Sequence, residues 1–353
     1  MNELGRALCV EAKVAGFDDV GICSADQEQP WRDELEKAFG DGRLDAFPWM
    51  TRTADQRLDP HVRMPRVKSV VVVVESYYNG PHEDHVDAAV FEQGAAKVAR
   101  YAWGQDYHHV MRRKLRRLRK WILARAPSAT VAPFNDVDAV TERAWAVASG
   151  LGFIGKSGMF ISRSLGTWTF LGGLLTDVDL FGDVAIPARI TDGCGTCTRC
   201  MDACPTGAIT APMVVDARRC LTTWNVESAT DPAGDVYAGS GWAIGCDVCQ
   251  EVCPWNKFAV VTSEPRYAPR NVVLRPGAIP DDVSGTPLAR PGLDALAGLT
   301  QRALAERAPG LRVVASIGEP RCEGANARKE AQAPCQHAKR VGTKLPSRGP
   351  SLE

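Results

Sequence analysis

Apolar positions in the first half of the chain follow two rhythms, one helical and one extended. Asn2 to Ala15 has helical spacing, and Val20 to Cys23 predicts a short strand. Ser69 to Glu75, read as SVVVVVE, predicts a strand buried on both faces, as in a parallel or mixed sheet. Residues 96–125 predict a helix. Within it Met111, Leu115, Leu118 and Ile122 fall at i, i+4, i+7 and i+11, a core stripe. Thr167 to Val178 (TWTFLGGLLTDV) predicts another strand with a glycine pair at its centre. The fold class is α/β, or α+β, with a central sheet.

The rhythm changes near residue 181. Eight cysteines fall within residues 181–258, whereas residues 1–180 hold only Cys9 and Cys23. Beyond residue 259 Pro, Gly and Arg accumulate, and Leu293 to Ala308 predicts one more helix. From Gly318 onward no apolar period is found and basic residues are frequent, which predicts a disordered tail. The expected organisation is a catalytic domain over 1–180, a cysteine-rich domain over 181–258, a partly helical region over 259–317 and a divergent tail over 318–353.

Composition narrows the class. Lys plus Arg and Asp plus Glu both number 42 in 353 residues, which excludes a uniformly basic nucleic-acid binder. A local patch survives: Arg112 to Lys120 (RRKLRRLRK) holds seven basic residues in nine, opposite the core stripe. Two readings stand equally for it, a solvated face or a surface that attracts nucleic-acid phosphates. No apolar run nears the roughly 18 residues of a membrane span, and the first residues lack a signal-peptide core. The expectation is a cytoplasmic protein with no membrane partner, in which cysteines stay reduced and bind metal before they form disulfides.

The cysteines carry the clearest chemistry. Cys194-x2-Cys197-x2-Cys200-x3-Cys204-Pro205 is the bacterial ferredoxin run, whose fourth cysteine ligates the other cluster in two-cluster ferredoxins. Cys246-x2-Cys249-x3-Cys253-Pro254 is one cysteine short of a second run, and Cys220 can supply the missing thiolate. A crossed assignment follows. Cluster one, a 4Fe–4S cubane, takes Cys194, Cys197, Cys200 and Cys253; cluster two takes Cys204, Cys220, Cys246 and Cys249. A zinc ribbon needs only four ligands and leaves the two CxxxCP endings unexplained. Cys9, Cys23, Cys322 and Cys335 match no ligand spacing and read as incidental thiols. A bare ferredoxin needs no preceding domain, so residues 1–180 are expected to hold the site where electrons are used.

Several segments taken together resemble the epoxyqueuosine reductase family over roughly residues 1–270. They are WMTRTADQRLDP (49–60), YAWGQDYHHVMRRKL (101–115), DVDAVTERAWAVASGLGFIGKSGMF (136–160), GTWTFLGGLLTDV (166–178), PTGAI (205–209) and GCDVCQEVCPWNKF (245–258). The resemblance implies a cobalamin-binding α/β domain fused to a two-cluster ferredoxin domain and a helical-repeat region. It implies reduction of epoxyqueuosine to queuosine at the wobble position of a tRNA. Cobalamin would be bound base-off and reduced through the clusters by a low-potential donor such as flavodoxin or ferredoxin. The chain is expected to act as a monomer on tRNA carrying epoxyqueuosine.

Residue by residue, the resemblance makes Asp136 the proton donor, six positions before Glu142 in a D-x5-ER pattern. Loss of an epoxide oxygen as water needs protons, and a carboxyl raised by a partly apolar site can give one. The competing readings are a cap for the helix near Thr141, and Asp138 in its place. Arg57, Phe160, Leu171, Thr222 and the Cys246–Asp247 pair match positions that contact cobalamin; core packing competes for Phe160 and Leu171. Asp59-x-His61 and Asp106-x-His108 begin the motif of histidine-ligated cobalamin, but Met64 and Met111 stand where it needs glycine. Tyr107 and His108 remain candidates for the substrate pocket or for structural roles.

The end of the chain departs from the family. LDALAGLTQRALAERAPG (293–310) keeps part of a repeat helix, and the tRNA-holding pattern then stops. The expectation is a tail that has diverged or is read out of its ancestral frame, with weakened tRNA affinity. Two alternatives remain: a corrinoid iron–sulfur reductase with another substrate, as in reductive dehalogenases, and a reductive activator of another corrinoid protein.

Overall fold

Asn2 opens the first helix. Its side chain accepts from the Gly5 N–H at 2.9 Å, and Leu8 and Ala12 bury the inner face of α1 (Glu3–Val14). The chain then forms β1 (Asp19–Ser24), α2 (Arg32–Gly40), the short helices α3 (Pro48–Thr51), α4 (Ala54–Leu58) and α5 (Pro60–Arg63), and β2 (Ser69–Ser76). After α6 (Ala88–Glu92) and β3 (Ala96–Val98) come α7 (Tyr107–Arg125), β4 (Val131–Asn135), α8 (Glu142–Ala148), the hairpin β5 (Gly152–Ile154) and β6 (Phe160–Ser162), and β7 (Thr169–Thr176). This computed structural model describes residues 1–27, 32–182, 193–227 and 238–306.

The central sheet has the order β1-β2-β7-β4. All eight residues of β2 are buried, as the valine run predicts. Its odd valines Val71 and Val73 pack with α1 and α7, and Val70, Val72 and Val74 pack with α8. The expected parallel or mixed pairing is wrong: every pairing in this sheet is antiparallel. A continuous apolar run reports burial on two faces, and here helices cover both faces of an antiparallel sheet. The glycine pair in β7 is steric. A Cβ on Gly173 would lie 2.0 Å from the Val71 carbonyl oxygen and 2.5 Å from the Phe134 ring.

The helix expected over 96–125 begins only at Tyr107. Asp106 is its N-cap, its side chain accepting from the His108 N–H at 2.9 Å. Residues 96–98 are drawn instead into a second sheet, in which β10 (Trp242–Ile244) runs parallel to β3 and β11 (Val273–Leu274) antiparallel to it. The predicted stripe of Met111, Leu115, Leu118 and Ile122 is fully buried. Lys114 departs from the exposed basic face: it is buried and pairs with Glu75 and, at 2.9 Å, with Glu264.

The cysteine-rich segment contributes α9 (Arg199–Ala203), the hairpin β8 (Ile209–Ala211) and β9 (Val214–Val215), and α10 (Val248–Glu251). The last described helix, α11 (Leu293–Ala303), packs Leu296 and Ala303 into the core that holds Ala243 and Ile244 of β10. The tail, with the reading of it as divergent or frame-shifted, lies outside the described residues. Among the described residues no helix is long and apolar enough to cross a membrane.

Candidate active site and cluster-binding thiols

The CxxCxxC turn is tight. The Cys197 N–H bonds the Cys194 carbonyl at 3.0 Å, and α9 then carries the chain to Cys204. Backbone N–H groups aim at sulfur: Lys156 at Cys194 Sγ (3.4 Å) and Ala208 at Cys204 Sγ (3.2 Å). Burial, then the nearby Cys194, Cys200 and Cys197, push the Cys253 thiol up to about 12. Cys200, pushed up to about 11 by burial, feels Cys194 and Cys197. Burial and the neighbouring Cys220, Cys204 and Cys200 raise Cys249, and burial with Cys249 and Cys220 raises Cys246. Cys253 lies near Cys194, Cys200 and Cys197, and Cys249 lies near Cys220, Cys204 and Cys200.

Such thiols resist ionisation beside one another, so four thiolates in one place need a cationic core; an iron–sulfur cluster provides it. None of the eight is in a disulfide. Among the described residues no three cysteine, histidine or acidic side chains converge closely enough for a single metal ion. Cys9 is half-buried beside Met1, and Cys23 lies in the sheet core.

The second cysteine motif is pinned by charge. Asp247 is buried, and its Oδ2 accepts from the Arg100 N–H at 2.8 Å and from Arg100 Nη1 at 3.1 Å. Arg100 Nη1 also reaches Glu251 at 3.0 Å. Thr222 is half-buried and bonds the Cys220 thiol through its N–H and its hydroxyl.

Asp136 leaves the end of β4 in a turn. Its Oδ2 accepts from the Tyr107 hydroxyl, and its Oδ1 lies 3.0 Å from His108 Nε2. His108 Nδ1 is 2.7 Å from Asp106 Oδ1. Burial works to raise Asp136, but the His108 imidazolium and the Tyr107 hydroxyl hold its carboxyl below the usual range. Burial works to lower His108, but Asp106 and Asp136 push it up to about 9. The expectation of a raised Asp136 is corrected: the apolar surroundings are outweighed by a cation facing the carboxylate. Asp136 does not cap α8. Its side chain stays 41% exposed, open to a ligand.

Arg57, on α4, is buried, with Nε on Thr53 Oγ1 at 3.0 Å and Nη1 on the Val140 carbonyl at 3.4 Å. It stands 5.2 Å from the Trp49 ring. Phe160 and Leu171 share one buried cluster with Val140. Asn135, directly before Asp136, is fully buried with neither amide atom hydrogen-bonded. An orphaned amide and a guanidinium with spare donors suit the amide-rich edge of a corrin. The spacing gave no sign of Asn135. The Asp106–His108 pair did carry a signal, because Asp-x-His before an apolar helical run marks an N-cap. A separate cavity of about 440 Å³ is lined by Gly16, Arg113, Lys114, Arg117, Glu264 and Arg266 among others, and none of the residues above lines it.

Comparison with known proteins points to one family. A family model for epoxyqueuosine reductase QueG (DUF1730) matches residues 57–137, and one for a 4Fe–4S double cluster binding domain matches residues 193–256. An epoxyqueuosine reductase of Cellulophaga algicola is 37% identical over 265 residues, 75% of this chain and 83% of that protein. One of Synechococcus sp. (strain RCC307) is 38% identical over 276 residues, 77% and 82% of the two chains. Among solved structures, an epoxyqueuosine reductase of Bacillus subtilis whose catalytic aspartate loop is swung out of the active site matches with a TM-score of 0.74 at 25% identity, over 86% of this chain and 81% of that one. An epoxyqueuosine reductase bound to an epoxyqueuosine-modified tRNA-Tyr stem loop has the same fold, with a TM-score of 0.73 at 24% identity and the same coverage.

Proposed function

Because the chain belongs to the epoxyqueuosine reductase family, we propose that it reduces epoxyqueuosine to queuosine in tRNA, with Asp136 as the acid at the reacting oxygen. The observation that carries the reading is the convergence of Asp136, Tyr107 and His108 at one end of the sheet that also holds Leu171. The reaction consumes two electrons and two protons. Both bonds from carbon to the epoxide oxygen break, an alkene forms and water leaves.

Two 4Fe–4S clusters would supply the electrons, drawn from a low-potential carrier such as flavodoxin or ferredoxin. We assign Cys194, Cys197, Cys200 and Cys253 to one cluster and Cys204, Cys220, Cys246 and Cys249 to the other. Cobalamin would supply the low-potential cobalt chemistry that makes the carbon–oxygen bond reducible. Arg57, Asn135 and the backbone near Thr222 and Cys246–Asp247 would hold its polar edge, while Phe160 and Leu171 keep water from the ring. Asp136 delivers protons to the leaving oxygen, and Tyr107 keeps the carboxylate turned toward the site. After anaerobic reconstitution the protein should bind about eight irons and one cobalamin per chain. Cobalamin failing to bind to the iron-loaded protein would end this reading.

A further inference from the structure

Expelling the epoxide oxygen as water takes two protons, and one carboxyl carries one. Asp136 is moreover ionised where it stands. The structure shows which group is placed to hold the missing proton. The His108 ring is oriented from one side by Asp106, whose Oδ1 takes both the backbone N–H of His108 at 2.9 Å and its ring Nδ1 at 2.7 Å. Asp106 is fixed in turn by its own N–H on the Gly285 carbonyl at 2.7 Å. The ring is clamped by stacking on Tyr107 at 4.1 Å, and Tyr107 stacks on Phe170 at 4.1 Å. This leaves Nε2 with one direction to point, toward Asp136 Oδ1 at 3.0 Å.

Both of those atoms are buried and neither has a well-aligned hydrogen bond. They are in range but out of line, a contact that a small rotation of the Asp136 carboxylate completes. A purely structural histidine in the first turn of a helix would be neutral, because the positive end of the helix dipole disfavours imidazolium there. Two carboxylates offset that cost here, although the cap needs only Asp106.

We propose that His108 is the positioning residue that charges Asp136, passing the proton on its Nε2 to the carboxylate for each protonation of the leaving oxygen. The proposal rests on Asp136 being the acid of the reduction. In the cycle, His108 gives its proton to the ionised Asp136, which delivers it to the oxygen, and a second pass from the reprotonated ring delivers the proton that completes water. The ring is reprotonated from solvent, and reduced methyl viologen provides the two electrons in the assay. Other charged and titratable groups surround the pair. Glu227 and Arg290 face it as an ion pair at 2.7 Å from the cysteine-rich and C-terminal segments. His109 lies beside Asp106, and Tyr101 beside Asp136.

The test uses reconstituted holoenzyme in single turnover on an epoxyqueuosine-containing tRNA stem loop, from pH 6 to 10. The wild-type rate should fall on an alkaline limb set by His108. His108→Gln should lower the rate about tenfold or more, abolish that limb, and leave the KM for RNA and the cofactor content unchanged. Asp106→Asn keeps a competent helix cap and should move the limb to lower pH with a near-normal rate at pH 6. A wild-type rate and profile in His108→Gln, or an unmoved limb in Asp106→Asn, overturns the proposal. Full activity of Asp136→Asn would instead overturn the reading beneath it, so the two failures are distinguishable.

Discussion

Arg63 holds Asp138 through Nη2 on Oδ1 at 2.9 Å, and the other oxygen of Asp138 takes the Asn135 N–H at 3.0 Å. That pair separates two carboxylates that lie only two residues apart. Asp138 locks the turn, whereas Asp136 faces Tyr107, His108 and open space. Asp136→Asn is expected to keep irons and cobalamin and to lose about 10²–10⁴-fold in turnover. Asp138→Asn should lower the melting temperature while folded protein retains kcat within a few-fold. Measuring both variants for kcat and thermal unfolding checks the division; equal loss of kcat in the two would refute it.

The crossed ligation makes a prediction that a simple one-run, one-cluster arrangement does not. Removing Cys253, which lies beside Cys194 and Cys200, should cost the cluster held by the first run. Removing Cys204, which lies beside Cys220 and Cys249, should cost the other one. Electron paramagnetic resonance of reduced Cys253→Ala and Cys204→Ala proteins should show different surviving clusters. An unaltered first-run cluster in Cys253→Ala would contradict the assignment.

Lys114 is the basic residue of α7 that the core has taken in, and its neighbour Glu75 is buried with it. Burial raises Glu75 to about 7 from 4.5 although Lys114 opposes it. A folded-state pKa above the unfolded one favours folding fully below about 4.5 and loses that contribution as pH rises through about 7. Lys114→Met strands the carboxylate and should destabilise by about 3–5 kcal/mol near pH 8. The deficit should shrink toward pH 5, where Glu75 takes up a proton, and Lys114→Met with Glu75→Gln should recover much of it. Denaturant unfolding at the two pH values reads this directly; a deficit independent of pH would refute it.

Arg112, Arg116 and Lys120 are exposed on the outer side of the same helix, whose first turn carries His108 to Asp136. If this face meets RNA phosphates, changing all three to Gln should raise the KM for tRNA and flatten the log–log salt dependence of binding by roughly one per charge removed. An unchanged salt slope would leave the face as a solvated surface.

Much of the framework was legible because local chemistry and tertiary structure agree. The valine run of β2, the stripe of α7 and the cysteine spacings each report a single physical requirement. Strand direction in the central sheet was not legible, because the apolar pattern of β2 is satisfied by helices on both faces whatever the direction of its neighbours. Residues 96–98 lost their helix to pairing with β10 and β11, which lie more than a hundred residues away. At the site, spacing located Asp136 through the family resemblance. The ionisation state of Asp136 depends on where His108 points, and that is fixed by Asp106 and by stacking on Tyr107, relations between side chains that a linear pattern does not contain.

The most direct test of the whole account is the fate of the modified nucleoside. Iron- and cobalamin-loaded protein, reduced anaerobically and incubated with epoxyqueuosine-containing tRNA, should yield after digestion a nucleoside lighter by one oxygen atom, and only when cobalamin is present. Recovery of the epoxide unchanged from fully loaded, fully reduced protein would contradict it.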